Sequence, residues 1–155
     1  MTFQVPPNGS KGARMPTGGA LRFSGAIMAG LYRLSGGRVG IGHGLLLTTV
    51  GAKSGEQRVA SLRRFEEGEG RWLVAASAGG QAKQPSWLTN LSRNPDQVWV
   101  EIGRDRTKVR PALLQGEERA VAWRRIVSEA PRFGGYETKT DREIPVVRLT
   151  REASG

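Results

Sequence analysis

Apolar positions recur along the chain at spacings that divide it into a polar start, one helical stretch and a series of short strands. Residues 1–19 are rich in Pro, Gly and Ser with little to bury, and read as a flexible tail. Over residues 20–40, Phe23, Ile27, Leu31 and Leu34 fall on one helical face while Arg22, Ser24 and Arg33 fall elsewhere, which predicts an N-terminal amphipathic helix. Gly25 and Gly30 weaken it by ~1 kcal/mol each relative to Ala. Residues 41–152 then change period. Leu45–Val50 is an apolar, β-branched run, Gly51–Gly55 is a turn, Arg58–Phe65 alternates, Glu66–Gly70 turns again, and Trp72–Ala76 returns as a buried strand. Pro85 opens a short helix through Asn90 that Asn94-Pro95 ends. Val98–Ile102 and Thr107–Leu114 pair as a hairpin, Glu117–Glu129 is a helix, Pro131–Arg142 is a loop, and Ile144–Leu149 is the last strand. Six closely spaced strands with two or three helices predict an α+β chain built on a small antiparallel barrel.

Composition narrows the chemistry. The chain has 155 residues, no cysteine and one histidine, His43, so disulfides, thiolate catalysis and a His-rich metal site are not expected. No apolar run reaches the ~18 residues of a spanning helix, and no secretory signal pattern is present. A cytoplasmic protein is therefore expected. Net charge is +10, and residues 1–55 carry six cations with no Asp or Glu. Such a field favours a polyanionic ligand, an anionic membrane surface or nucleic acid. The N-terminal stripe either packs on the barrel or makes peripheral contact with the inner face of the cell membrane. A nucleic-acid module is disfavoured because aromatics are only 6% of residues and most sit in core patterns.

Two segments carry candidate binding chemistry. In Gly51-Ala52-Lys53-Ser54-Gly55, glycines let backbone N–H groups approach an anion, Ser54 adds a hydroxyl and Lys53 a compact charge. Arg58 is a second donor if the strand brings it alongside. The bland alternative is a hairpin turn with a solvated lysine, and a Walker A loop is excluded because a strand follows. In the second segment, Ala75, Ala76 and Ser77 end a strand with small side chains before Ala78 and Gly79-Gly80, leaving room for a flat ring. Ser86, Trp87 and Asn90 lie on the following helix, where Trp87 and Asn90 share a face for stacking and hydrogen bonding, or for plain packing. No catalytic triad or spaced carboxylate pair is evident, so in an enzyme the cofactor must carry the chemistry.

Leu46–Arg58, Val74–Gly80, Pro85–Pro95 and Thr140–Val147, taken in order, resemble the deazaflavin-dependent nitroreductase family of actinobacteria. The resemblance covers Leu45 to Leu149. It implies a split β-barrel that binds reduced coenzyme F420 and passes hydride to a small organic acceptor: a quinone, a nitro compound or an activated double bond. It also implies that Val59 and Ala60 line the ring through their backbone, and that Arg63, Phe133 and Tyr136 face the substrate. Arg63 stands where an aromatic is common in the family, and the expected catalytic groups are Ser77 and Tyr136, which polarise the acceptor. The rival cofactor on the same fold is flavin mononucleotide. Oligomeric state is left open.

Overall fold

The computed structural model describes residues 4–12, 43–77 and 84–152. Strand β1 (Gly44–Val50) is buried at every position, as a continuous apolar run requires when both faces are covered. It pairs antiparallel with β2 (Gln57–Arg63). The alternating run Arg58–Phe65, expected as one strand, is divided at Arg64. That residue donates its backbone N–H to the His43 carbonyl at 2.7 Å and its Nη1 to the Gly44 carbonyl at 2.5 Å. Beyond it the chain leaves β1 and pairs as β3 (Phe65–Glu66) with β4 (Arg71–Ala75). The hairpin β5 (Trp99–Ile102) and β6 (Asp105–Leu113) turns through Gly103, whose φ of +63° suits glycine. With β7 (Val146–Arg151) these form one seven-stranded sheet in the order β2-β1-β5-β6-β7-β4-β3.

The strands at the two ends of that order, β2 and β3, are joined through Arg64 alone. Two residue steps reach only about 7 Å, so the edges of the sheet meet and the sheet curls on itself. The expected antiparallel split barrel is the observed fold, with seven described strands rather than six because of this division.

Alternation along the strands builds two apolar layers. Leu45, Leu47, Trp72, Val74, Val100 and Leu149 point inward, and Trp87, Leu88 and Leu91 of helix α1 (Ser86–Arg93) close that interior. Leu73, Ala75 and Val146 point outward, against Ala122, Trp123 and Ile126 of helix α2 (Gly116–Glu129). Outside this layer Arg148 of β7 holds Glu67 with two hydrogen bonds of 2.7 and 3.0 Å, which push the Glu67 carboxyl below its ordinary pKa and raise that of Arg148.

Pro131–Arg142, expected as a loop, contains a third helix, α3 (Arg132–Lys139). Gly134-Gly135 obscures it in the sequence, since each glycine costs a helix ~1 kcal/mol. Burial of one large apolar side chain returns roughly 1.5–3 kcal/mol, and Phe133 is buried in the outer layer with Tyr136 packed against it. Gly134 also lets α3 approach α2, because a Cβ there would lie 3.3 Å from Val127 Cγ1.

The described part of the expected tail, residues 4–12, lies against the barrel. Asp141 accepts hydrogen bonds from the backbone N–H groups of Ser10 and Lys11, at 2.8 and 2.9 Å, and from the Ser10 hydroxyl. Thr140 donates to the Lys11 carbonyl at 2.7 Å, and the Gln84 N–H donates to Asn8 Oδ1 at 2.8 Å. Composition does not disclose such a strap, because its partners lie far away in sequence. The helix expected over residues 20–40 lies outside the described residues. Among the described residues no helix is long and apolar enough to cross a membrane.

The hydrogen bonds from Ser10 and Lys11 hold the Asp141 carboxyl below its ordinary pKa. A depressed carboxylate stabilises the docked strap above the unfolded value of about 3.9, and that contribution is lost as pH falls through the lower folded value. Hydrogen exchange at the Ser10 and Lys11 amides is therefore expected to stay slow from neutral pH down to about 4 and to speed up below it, relative to intrinsic rates. In Asp141→Ala the protection should be missing at every pH; equal protection in the two proteins would mean that the strap is anchored elsewhere.

Candidate functional site

The turn after β1 is built by its own backbone. Gly51 N–H donates to the Glu56 carbonyl at 2.7 Å, and Gly55 N–H to the Gly51 carbonyl at 3.0 Å. Gly55 sits at φ +71°, and a Cβ at Gly51 would fall 2.5 Å from Ser54 Oγ, so both positions call for glycine. Ser54 Oγ accepts the Glu56 N–H at 3.2 Å. From α1, Asn90 Oδ1 accepts the Ala52 N–H at 3.0 Å and Asn90 Nδ2 donates to Thr49 Oγ1 at 3.3 Å, while Asn94 Nδ2 reaches the Val50 carbonyl at 3.2 Å. The backbone N–H groups of Lys53 and Ser54 are left without an acceptor among the described residues, on an exposed turn. The Lys53 ammonium has no acidic partner there either. Two free amides beside a cation make a concave anion-binding edge.

Arg58, the second expected donor, is paired with Glu56 at 3.2 Å. Both side chains are largely exposed, and such pairs contribute only ~0.2–1 kcal/mol, so an anion on the turn can compete for the guanidinium. Val59 follows on β2 and packs against Leu46, whereas Ala60 turns toward the barrel interior.

Trp87 and Asn90 do share a face of α1, and that face points into the protein. Trp87 joins the interior core, and both polar atoms of the Asn90 side chain are engaged by the turn. What this arrangement offers is support for the anion-binding edge from behind. Ser86, at the start of α1, is exposed.

The end of β4 is fixed by a residue that sequence reasoning missed. Arg142, 6% exposed, donates Nη1 to the Ala76 carbonyl at 3.0 Å and to Gln84 Oε1 at 2.9 Å, and Nη2 to the Ser77 carbonyl at 2.6 Å. Burial pushes its pKa down. It lies beside Asp141, so the strap and the Ser77 backbone hang on adjacent residues. An isolated arginine in a polar stretch carries no sequence signal of this kind. The Ser77 hydroxyl, half-buried, has no hydrogen-bond partner among the described residues. Ala78 lies outside the described residues.

The three residues expected on the substrate side come together through a fourth. The Arg63 guanidinium lies 5.0 Å over the Phe65 ring. Phe65 meets Phe133 edge-on at 5.7 Å, and Phe133 meets Tyr136 edge-on at 5.4 Å. Ala75 belongs to the same outer cluster, which joins the end of β4 to this aromatic row. A separate cavity of about 470 Å³ between the strap and the start of α2 is lined by Val5, Leu114 and Arg119 among others, and by none of these residues.

A split barrel with an anion-binding turn after its first strand and a small-residue strand end beside an aromatic row defines a cofactor-binding oxidoreductase of the split-barrel class. Comparison with known proteins makes the class specific. The F420H(2)-dependent quinone reductase family matches residues 26–151. An F420H(2)-dependent quinone reductase of Mycobacterium tuberculosis is 39% identical over 132 residues, which cover 78% of this chain and 85% of the relative. A solved F420-H2 dependent reductase is 42% identical, with a TM-score of 0.62 over 69% of this chain and 93% of its own. A solved domain-swapped dimer is 35% identical, with a TM-score of 0.65 over 84% of this chain and 99% of its own. The chain belongs to the F420H(2)-dependent quinone reductase family. The expectations of an F420H2-dependent reductase and of reduced coenzyme F420 as its cofactor hold.

Arg142→Met keeps the bulk of the side chain and removes its donors, leaving buried carbonyl oxygens unmatched. The expected loss of stability is about 1–3 kcal/mol, the cost of leaving a buried polar group unsatisfied. Urea denaturation checks it, and an unchanged midpoint would mean that Ala76 and Ser77 are held by other contacts.

Proposed function

We propose that this protein reduces a quinone with hydride from reduced F420, and that the turn at Gly51–Glu56 and the end of β4 share the task of holding the cofactor. The observation that carries this reading is the turn: two backbone N–H groups without acceptors, a lysine without an acidic partner, and a glycine with no room for a Cβ. That donor set fits a phosphate, and the net charge of +10 favours a polyanionic tail. Lys53, Ser54 and Arg58 hold the phosphate in this reading, with Asn90 and Trp87 fixing the turn behind them. Val59 and Ala60 along β2, and Ala75, Ala76, Ser77 and Ala78 at the end of β4, flank the ring, with Ser86 at the rim.

The bound deazaflavin supplies a hydride. The chain's own residues orient the acceptor and exclude water, the main needs of a reaction in which the cofactor carries the chemistry. The Ser77 hydroxyl and the Tyr136 phenol are the donors available to an acceptor carbonyl oxygen, and Phe133 gives its ring an apolar wall. Nitro compounds and activated double bonds accept hydride at the same site in this reading. The cation excess of residues 1–55 supports reversible contact of residues 20–40 with an anionic membrane surface.

Lys53→Ala is expected to weaken F420 binding by about 1.5–3 kcal/mol, the worth of a hydrogen bond to a charged group. Quenching of F420 fluorescence on titration with protein measures it, with flavin mononucleotide titrated in parallel. An unchanged dissociation constant at moderate salt sinks the phosphate assignment, and tighter binding of flavin mononucleotide moves the protein to the other cofactor.

A further inference from the structure

Three consecutive arginine-bearing positions around the sheet edge are treated differently by the fold. Arg58 pairs with Glu56 at 3.2 Å, and Arg64 pairs with Glu66 at 3.4 Å and donates to the Gly44 carbonyl. Arg63 lies between them with neither kind of partner. Its Nε is shut off from solvent and has no hydrogen-bond acceptor, and its guanidinium rests on the face of Phe65. A buried N–H of a cation without an acceptor is costly to keep. Cross-strand from Arg63 stands Gly44, which places no side chain in front of it.

The surroundings point the same way. The row Phe65, Phe133, Tyr136 leads away from Arg63, and two more cations border it: Arg132 lies 5.3 Å from the Phe133 ring and Lys139 lies 5.8 Å from the Tyr136 ring. Neither has an ion pair among the described residues. The acid on α3, Glu137, accepts the Trp123 indole N–H at 3.0 Å, and Glu66 is held by Arg64. An aromatic row edged with cations and lacking a free carboxylate is a receptor for a flat ring that carries a negative charge.

We infer that Arg63 is the anion subsite of the acceptor site, and that the preferred acceptor is a quinone bearing an acidic substituent. This rests on the reductase reading and adds the substrate's charge to it. The ring lies along Phe65, Phe133 and Tyr136, and the anionic group accepts from the Arg63 Nε and its neighbouring N–H in a paired fashion. The redox balance is that of any quinone: reduced F420 gives a hydride, solvent gives one proton, the quinone becomes the hydroquinone, and the acidic group is unchanged. Arg63 sets which quinone is taken.

The test compares 1,4-naphthoquinone with its 2-sulfonate, which stays ionised at every working pH. In Arg63→Gln, KM for the sulfonate is expected to rise at least tenfold, while KM for the parent quinone and kcat for both stay within about twofold. Arg104→Gln, in the exposed β5–β6 turn, removes the same unit of charge and should change neither. Calorimetric binding of the sulfonate to cofactor-free protein gives a readout independent of turnover and should weaken by the same factor. Arg63→Lys keeps charge without the fork and covers the case in which the Gln variant fails to fold; it should raise the sulfonate KM about threefold or more. An unchanged sulfonate-to-parent ratio in a folded Arg63 variant overturns the inference, as does an equal shift in Arg104→Gln. Failure of the reductase reading is separate and visible: no quenching of F420 fluorescence by wild-type protein.

Discussion

One residue joins the two edges of the sheet. Strands β2 and β3 lie at opposite ends of the seven-strand order, yet only Arg64 separates them in the chain. No flat or openly twisted sheet satisfies that connection, so closure of the barrel is imposed covalently rather than left to packing. The remaining architecture follows. The closed sheet has an interior to fill, which strand alternation and the apolar face of α1 fill from opposite sides. Its outer surface at β4 and β7 is apolar too, and needs α2 and α3 as cover.

The same closure assembles the site. Arg63 and Phe65 belong to strands at the two edges of the sheet, and they touch because those edges meet. Phe65 then carries the contact to Phe133 and Tyr136 on α3, and the shared outer cluster carries it to Ala75 at the end of β4. At the other end of β2, the turn that offers free N–H groups is held by Asn90 of the helix that fills the barrel. One strand thus runs from the anion-binding turn at one end to the aromatic row at the other.

The parts of this that a sequence discloses are those whose cause is local. The uniformly apolar β1, the glycine turn after it and the amphipathic α2 are each legible from spacing alone. The ordered signatures from Leu46 to Val147 were enough to indicate the deazaflavin family and its barrel. What escaped reading has distant causes. Alternation runs unbroken through Arg64, so nothing local marks the change of partner from β1 to β4. Gly134-Gly135 masks a helix that the burial of Phe133 pays for. Trp87 and Asn90 have the helical spacing of a ligand-facing pair, and only the tertiary fold shows that face turned inward. The strap and the grip of Arg142 on Ser77 depend on pairs far apart in sequence.

The central claim is that cofactor and acceptor are held along one path, from the turn at Lys53 to the end of β4 and the row beginning at Arg63. A crystal structure of the protein with F420 bound tests it most directly. The result predicted is the phosphate on the Lys53 and Ser54 N–H groups and the deazaflavin ring against Ala75–Ser77, with its open face toward Tyr136. A phosphate bound away from that turn, or a ring lodged in the cavity beneath the N-terminal strap, would contradict it.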